Sequence, residues 1–122
     1  YAEAPAGLPL VQHALLTLFE LVRAGTFRVE TVVDKIAHAP ARLFGIRDRG
    51  FIREGYWADL VLVDPTTPTS NGPIFSKCGW SPFSDIVFGS RVRMTWVNGE
   101  LRYRDGDLQT GSGGRALEFE RR

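Results

Sequence analysis

The apolar pattern of this chain changes period once, and that change restricts its fold more than any other feature. Up to Gly45 apolar side chains recur at helical spacing; beyond Gly50 they come in short runs bounded by turn residues. Leu8, Val11, Leu15, Leu18 and Val22 share one helical face, widened by Leu16, Phe19 and Leu21, which predicts a helix from about Pro9 to Ala24. Pro9 suits its first turn and Gly25 its stop. A helix this apolar needs cover on more than one side. Val29, Val32, Val33, Ile36 and Ala37 predict a second helix to His38, and Pro40 opens a short third turn closed by Gly45.

The second half reads as strands. Asp59-Leu60-Val61-Leu62-Val63-Asp64-Pro65 is a short apolar run between Asp and Pro. Asn98-Gly99 separates two strand-like runs, Val92 to Val97 and Glu100 to Arg104, the pattern of a type I′ hairpin. Between them, Thr66 to Ser84 is a long loop, with a short strand expected near Ile74-Phe75. Such a loop is usually functional or packed against something else. The glycine-rich tail from Gly111 is expected to fray. Helices first and strands afterwards imply an α+β arrangement or the joint between two domains. An isolated hairpin with a third strand is marginal alone, so the strands are expected to pair with further segments.

Composition removes several function classes. The 122 residues carry fifteen basic and fourteen acidic side chains, a net charge of +1, which leaves no electrostatic footprint for nucleic acid. One cysteine, Cys78, rules out an internal disulfide and a cysteine zinc cage. The longest apolar stretch, Ala14 to Val22, is interrupted by Thr17 and Glu20 and is too short to cross a bilayer. No signal-peptide pattern opens the chain, so a cytoplasmic location is the default expectation. The chain starts at Tyr1 and its only methionine is Met94, which leads us to expect a portion of a longer protein.

The chemistry-bearing residues are sparse. His13 and His38 lack partners at metal-ligand spacing and are expected to be packing or surface histidines. Asp34 could pair locally with His38 at i, i+4. Cys78 lies beside Lys77, which would favour a thiolate, yet no histidine is close in sequence, and a buried structural cysteine is expected. Arg47, Asp48, Arg49, Arg53 and Glu54 read as a solvated mixed-charge face, and Asp59 and Asp64 as turn residues bracketing a strand. Neither a P-loop nor a dinucleotide fingerprint is present. Ala4-Pro5-Ala6-Gly7 is a small-residue loop before a helix, where exposed amides can approach a ligand.

Five stretches carry a resemblance. Ala4-Pro5-Ala6-Gly7-Leu8-Pro9 is similar to the loop after the last barrel strand of dihydroorotases. His38-Ala39-Pro40-Ala41-Arg42-Leu43-Phe44-Gly45-Ile46 resembles the Asn-Pro-Ala…Gly segment of the amidohydrolase superfamily, with Ala39 in place of Asn. Gly50 to Asp64, with Gly55-Tyr56-Trp57-Ala58-Asp59-Leu60 at its centre, resembles that superfamily's return from the barrel to its small β-domain. Lys77-Cys78-Gly79-Trp80-Ser81-Pro82-Phe83 and Val97-Asn98-Gly99 resemble the dihydroorotase and hydantoinase branch, with Ser84-Asp85 in place of an acidic-Gly pair.

The resemblance implies an α+β piece of a zinc enzyme. Residues 1–49 would end an incomplete (β/α)8 barrel, 50–110 would form part of a composite β-sandwich, and 111–122 a flexible tail. It implies reversible cyclisation of N-carbamoyl-L-aspartate to L-dihydroorotate in pyrimidine biosynthesis, with a small-molecule substrate and no nucleic-acid or membrane partner. Pro5, Ala6 and Gly7 would bind substrate through the backbone. The family's zinc ligands and catalytic aspartate would precede Tyr1, leaving no catalytic or metal residue in this chain and no activity in it alone. The uncovered apolar faces imply self-association, and a homo-oligomer is expected. A hydantoinase- or allantoinase-type activity, or a dihydroorotase-like partner protein without catalysis, are the alternatives.

Overall fold

The computed structural model describes residues 7–70, 72–111 and 113–120. The chain runs through α1 (Ala14–Arg23), α2 (Val29–Val33), one π turn (Asp34–His38) and α3 (Ala39–Phe44), and then through strands β1 (Leu60–Asp64) to β6 (Asp107–Leu108). The expected order of helices before strands holds.

Helix α1 starts later than the apolar pattern predicts. Leu10 N–H bonds to Leu8 O at 2.9 Å and His13 N–H to Leu10 O at 3.1 Å, so turns occupy the segment after Pro9. The first helical bond runs from Thr17 N–H to His13 O at 2.9 Å. The stop is as expected: Gly25 sits at φ +72° and Thr26 N–H reaches back to Leu21 O at 2.9 Å, closing orphan carbonyls.

Pro40 lies in the first turn of α3 and Gly45 closes it, as expected, while the helical pieces before and after it are continuous. Pro40 has no N–H and its ring crowds the carbonyl four residues back. The backbone widens there into one π turn, with Ala39 N–H bonding Asp34 O, and helix resumes as α3. Gly45, at φ +61°, ends it. Gly50 packs beneath: a Cβ there would lie 2.5 Å from Ala41 Cβ and 2.8 Å from Ala37 O, so only glycine fits.

The strands form an antiparallel sheet in the order β1-β4-β5-β6, with β4 at Arg91–Val97 and β5 at Glu100–Arg104. Leu60 pairs with Trp96 and Leu62 with Met94, and a bulge follows Leu62. Asn98 at φ +54° and Gly99 at φ +82° make the anticipated turn of the β4–β5 hairpin. Asp105-Gly106 makes a second tight turn into β6, a strand missed although the Asp-Gly signal was there.

The long loop is tied at both ends by β2 (Thr69–Ser70) pairing with β3 (Val87–Phe88); the strand expected near Ile74-Phe75 does not form. The tail also departs from expectation. Arg47 N–H bonds Glu118 O at 2.9 Å and Glu120 N–H bonds Gly45 O at 2.8 Å, so 118–120 pair with the end of α3.

The core is small. The buried apolar side chains among the described residues are Leu16, Val32, Ala41 and Phe88, whereas Val11 is 94% exposed and Ile52 87%. No helix among the described residues is long and apolar enough to cross a membrane.

Candidate functional site

Two places gather polar side chains. The first lies where the entry to α1 meets the long loop. His13 is buried, stacked on Phe88 with ring centroids 5.8 Å apart and edge-on to Phe83 at 5.9 Å. Its Nδ1 lies 3.1 Å from Ser81 Oγ. Burial among rings disfavours the charged imidazolium and holds the His13 pKa below its usual value. One residue earlier, the Gln12 carboxamide donates to Pro73 O at 3.0 Å and accepts from Phe75 N–H at 2.9 Å. Two turns further along α1, Glu20 Oε1 accepts Gly89 N–H at 2.6 Å. A cleft of about 990 Å³ opens beside these contacts, between Leu8, Pro9 and Gln12 on one side and Phe75, Arg91 and Tyr103 on the other.

Gly7 stands at the start of this segment. It is exposed, sits at φ +70°, and has open space where a Cβ would be. Its backbone is therefore free to meet a ligand closely. Pro5 and Ala6, the other two candidate substrate contacts, lie outside the described residues.

The second place joins the return segment to the β4–β5 turn. Arg49 was expected on a solvated face, but its side chain is only 11% exposed. It donates to Asp59 Oδ2 and to Asn98 Oδ1, the latter at 2.6 Å, and lies over the Trp57 ring at 5.4 Å. Asp59 Oδ1 accepts Asn98 N–H at 2.8 Å. Arg115 covers Trp57 at 4.8 Å, and a pocket of about 500 Å³ lies alongside, lined by Arg47, Asp48 and Glu118. Each Asp59 oxygen accepts from a donor on another segment, so the cluster is a lock between segments.

The remaining candidates sort simply. His38 stacks on Phe51 at 4.4 Å and does not pair with Asp34, whose carboxylate meets Arg42 at 2.5 Å instead. The Arg42 hydrogen bond holds the Asp34 carboxyl below its usual value. Asp64 accepts from Thr67 and Thr66 hydroxyls and amides, which push its carboxyl well below the usual range and confirm its turn role. Cys78 is exposed, contrary to the expected burial, because the Ser76–Trp80 turn faces outward. The Ser76 Oγ hydrogen bond at 3.1 Å holds the Cys78 thiol below its usual pKa.

Among the described residues no three His, Cys, Asp or Glu side chains converge to hold a metal ion. His13 and His38 are each committed to aromatic stacks. The described residues therefore offer no ligand set for the zinc that the resemblance implies. Sequence reasoning missed Gln12, Glu20, Ser81 and Arg49. Their partners lie between 10 and 69 positions away, and only the Ala58-Asp59 pattern within a family-like motif hinted at any of them.

The helical pieces, the Gly50–Asp64 return segment and the antiparallel sheets define an α+β unit. The sequence pattern of the Amidohydrolase family matches residues 13–103, and the chain belongs to that family. It is 34% identical to a dihydroorotase of Methanothermobacter thermautotrophicus, over 91% of this chain and 26% of that protein. It is 38% identical to one of Halobacterium salinarum, over 93% of this chain and 27% of that protein. A dihydroorotase of Clostridium acetobutylicum is 33% identical over 86% of this chain and 25% of its own length. The chain thus spans about a quarter of the length of these curated relatives.

Proposed function

We propose that the chain is the C-terminal part of a dihydroorotase, supplying the substrate loop at Pro5, Ala6 and Gly7 and part of the small β-domain. The similarity to proteins named dihydroorotase over 91% and 93% of this chain carries the reading. The reaction is the reversible closure of N-carbamoyl-L-aspartate. The carbamoyl nitrogen attacks the side-chain carboxyl carbon, a C–N bond forms, and water leaves. In reverse, water adds to the ring carbonyl, the C–N bond breaks, and the nitrogen takes up a proton. Backbone amides at the loop favour this chemistry by orienting the substrate, not by moving protons.

The proton-transferring carboxylate and the zinc ligands belong, in this reading, to residues outside the chain. Residues 1–49 then finish the barrel and 50–110 enter the β-domain, while 118–120 pair with the end of α3. The whole protein works on a small molecule in the cytoplasm.

Two measurements test this. A polypeptide comprising this chain and its N-terminal barrel is expected to cyclise carbamoyl aspartate, in preference to opening hydantoin or allantoin. The 122-residue chain alone is expected to show no turnover with added zinc. Turnover by the chain alone, or preference for the other cyclic amides, overturns the reading. Exposed Val11, Leu43, Phe44 and Ile52 further predict that the chain alone self-associates; a single monomeric species in sedimentation would contradict that.

A further inference from the structure

The residues that follow Gly7 are held from an unexpected direction. A helix entry is usually fixed by a side chain capping its own first amides. Here His13 occupies the N-cap position and makes no such bond. Its ring turns instead into the aromatic box of Phe83 and Phe88, and its neighbour Gln12 turns onto the backbone of Pro73 and Phe75. Two consecutive side chains thus grip two separate stretches of one loop, 61 to 68 positions away in sequence.

The bonds fix orientation as well as distance. The Gln12 carboxamide gives one donor and one acceptor to the loop backbone, as a neighbouring strand would, which sets its plane. Ser81 Oγ accepts Phe83 N–H at 3.2 Å. The same hydroxyl shares a second hydrogen bond with His13 Nδ1 at 3.1 Å, so it ties the ring to the loop backbone. Tight turn bonds at Leu8 to Leu10 and Leu10 to His13 connect this anchor to Gly7.

We infer that Gln12 and His13 are positioning residues for substrate binding: by clamping the entry to α1 onto the loop at Pro73–Ser81, they hold the Gly7 backbone in one orientation toward a dihydroorotate-like cyclic amide. The inference rests on the proposed dihydroorotase function. A loop left free to pivot must be ordered by the substrate at each binding event, which weakens binding more than chemistry.

The test uses the whole protein, barrel included. Gln12→Met keeps length and bulk but removes both hydrogen bonds; Ser81→Ala removes one oxygen. Each is expected to raise KM for dihydroorotate about tenfold with kcat within about twofold. A purely structural role would lower the unfolding temperature and leave KM unchanged below it; a rise in KM well below that temperature marks positioning. In Ser81→Ala the ¹⁵N resonance of His13 Nδ1 is expected to shift from its hydrogen-bonded position, while Gln12→Met leaves it in place. Wild-type protein without dihydroorotate turnover overturns the function and this inference together. Wild-type turnover with unchanged KM in both variants overturns the inference alone.

Discussion

The helical half and the sheet half are joined twice, by opposite means. At the aromatic box the contact is buried: Phe88 is 1% exposed, His13 3% and Ser90 0%. At the arginine lock the contact is half open: the Arg49 side chain is 11% exposed, Asp59 34%, and Trp57 40%. The first joint depends on apolar area and ring packing. The second depends on charge-assisted hydrogen bonds whose geometry a guanidinium supplies and an ammonium does not. Cores this small cannot hold two halves together by area alone, and the second joint adds charge-assisted hydrogen bonds beside the Trp57 ring.

The sharpest way to break the comparison is to remove the largest ring. Phe88→Ala is expected to cost about 3–5 kcal/mol, measured by denaturant unfolding and independent of salt. At the lock, Arg49→Ala is expected to cost about 2 kcal/mol, because Asp59 and Asn98 lose donors. Arg49→Lys should recover only part of this, since one ammonium cannot span both oxygens. The Arg49 loss should shrink as salt is added, unlike that of Phe88. Equal salt dependence at the two joints would contradict the division between them.

What was legible in the sequence follows the same division. Helix α1, strand β1 and the Asn98-Gly99 turn announce themselves through local periodicity and local turn chemistry. The box and the lock could not, because each is built from partners far apart in sequence. Nothing about Gln12 within an apolar helical pattern indicates that it will serve the loop at Pro73. The mixed-charge cluster around Arg49 looked solvated because its neighbours in sequence are, while its partners Asp59 and Asn98 come from elsewhere. Pro40 at the start of α3 was legible from its fixed φ, but the π turn that joins α3 to α2 without a break has no local signal. Of the candidate site, Gly7 could be named from the loop pattern, but its setting could not.

A smaller effect separates the joints by pH. The folded state holds His13 neutral, so its pKa is depressed there through burial. A base depressed by folding leaves stability intact above its unfolded value of 6.5. As pH falls through that value the unfolded chain takes up the proton first, and stability is lost until the folded pKa is passed. Asp34, Asp64 and Asp105 also have lowered values, but their contribution disappears only in the more acid range below the usual carboxylate value of 3.8. Unfolding midpoints are therefore expected to decline in two separate steps. His13→Phe should remove the first step and keep the second; persistence of the first would assign it to another group.

The smallest change probes the box from inside. Ser90 Oγ is the buried side-chain oxygen without a hydrogen-bond partner among the described residues, and it sits two positions from Phe88 at complete burial. A buried hydroxyl that loses water and gains nothing in return is unfavourable. Ser90→Ala removes one oxygen and leaves the volume nearly unchanged, so stability should stay level or rise by up to about 1 kcal/mol. The same truncation at Ser81, whose hydroxyl serves both His13 and Phe83 N–H, should instead destabilise the box. Two serines nine residues apart, equally buried in effect, would then differ in sign, and an equal loss at both would place an unseen partner on Ser90.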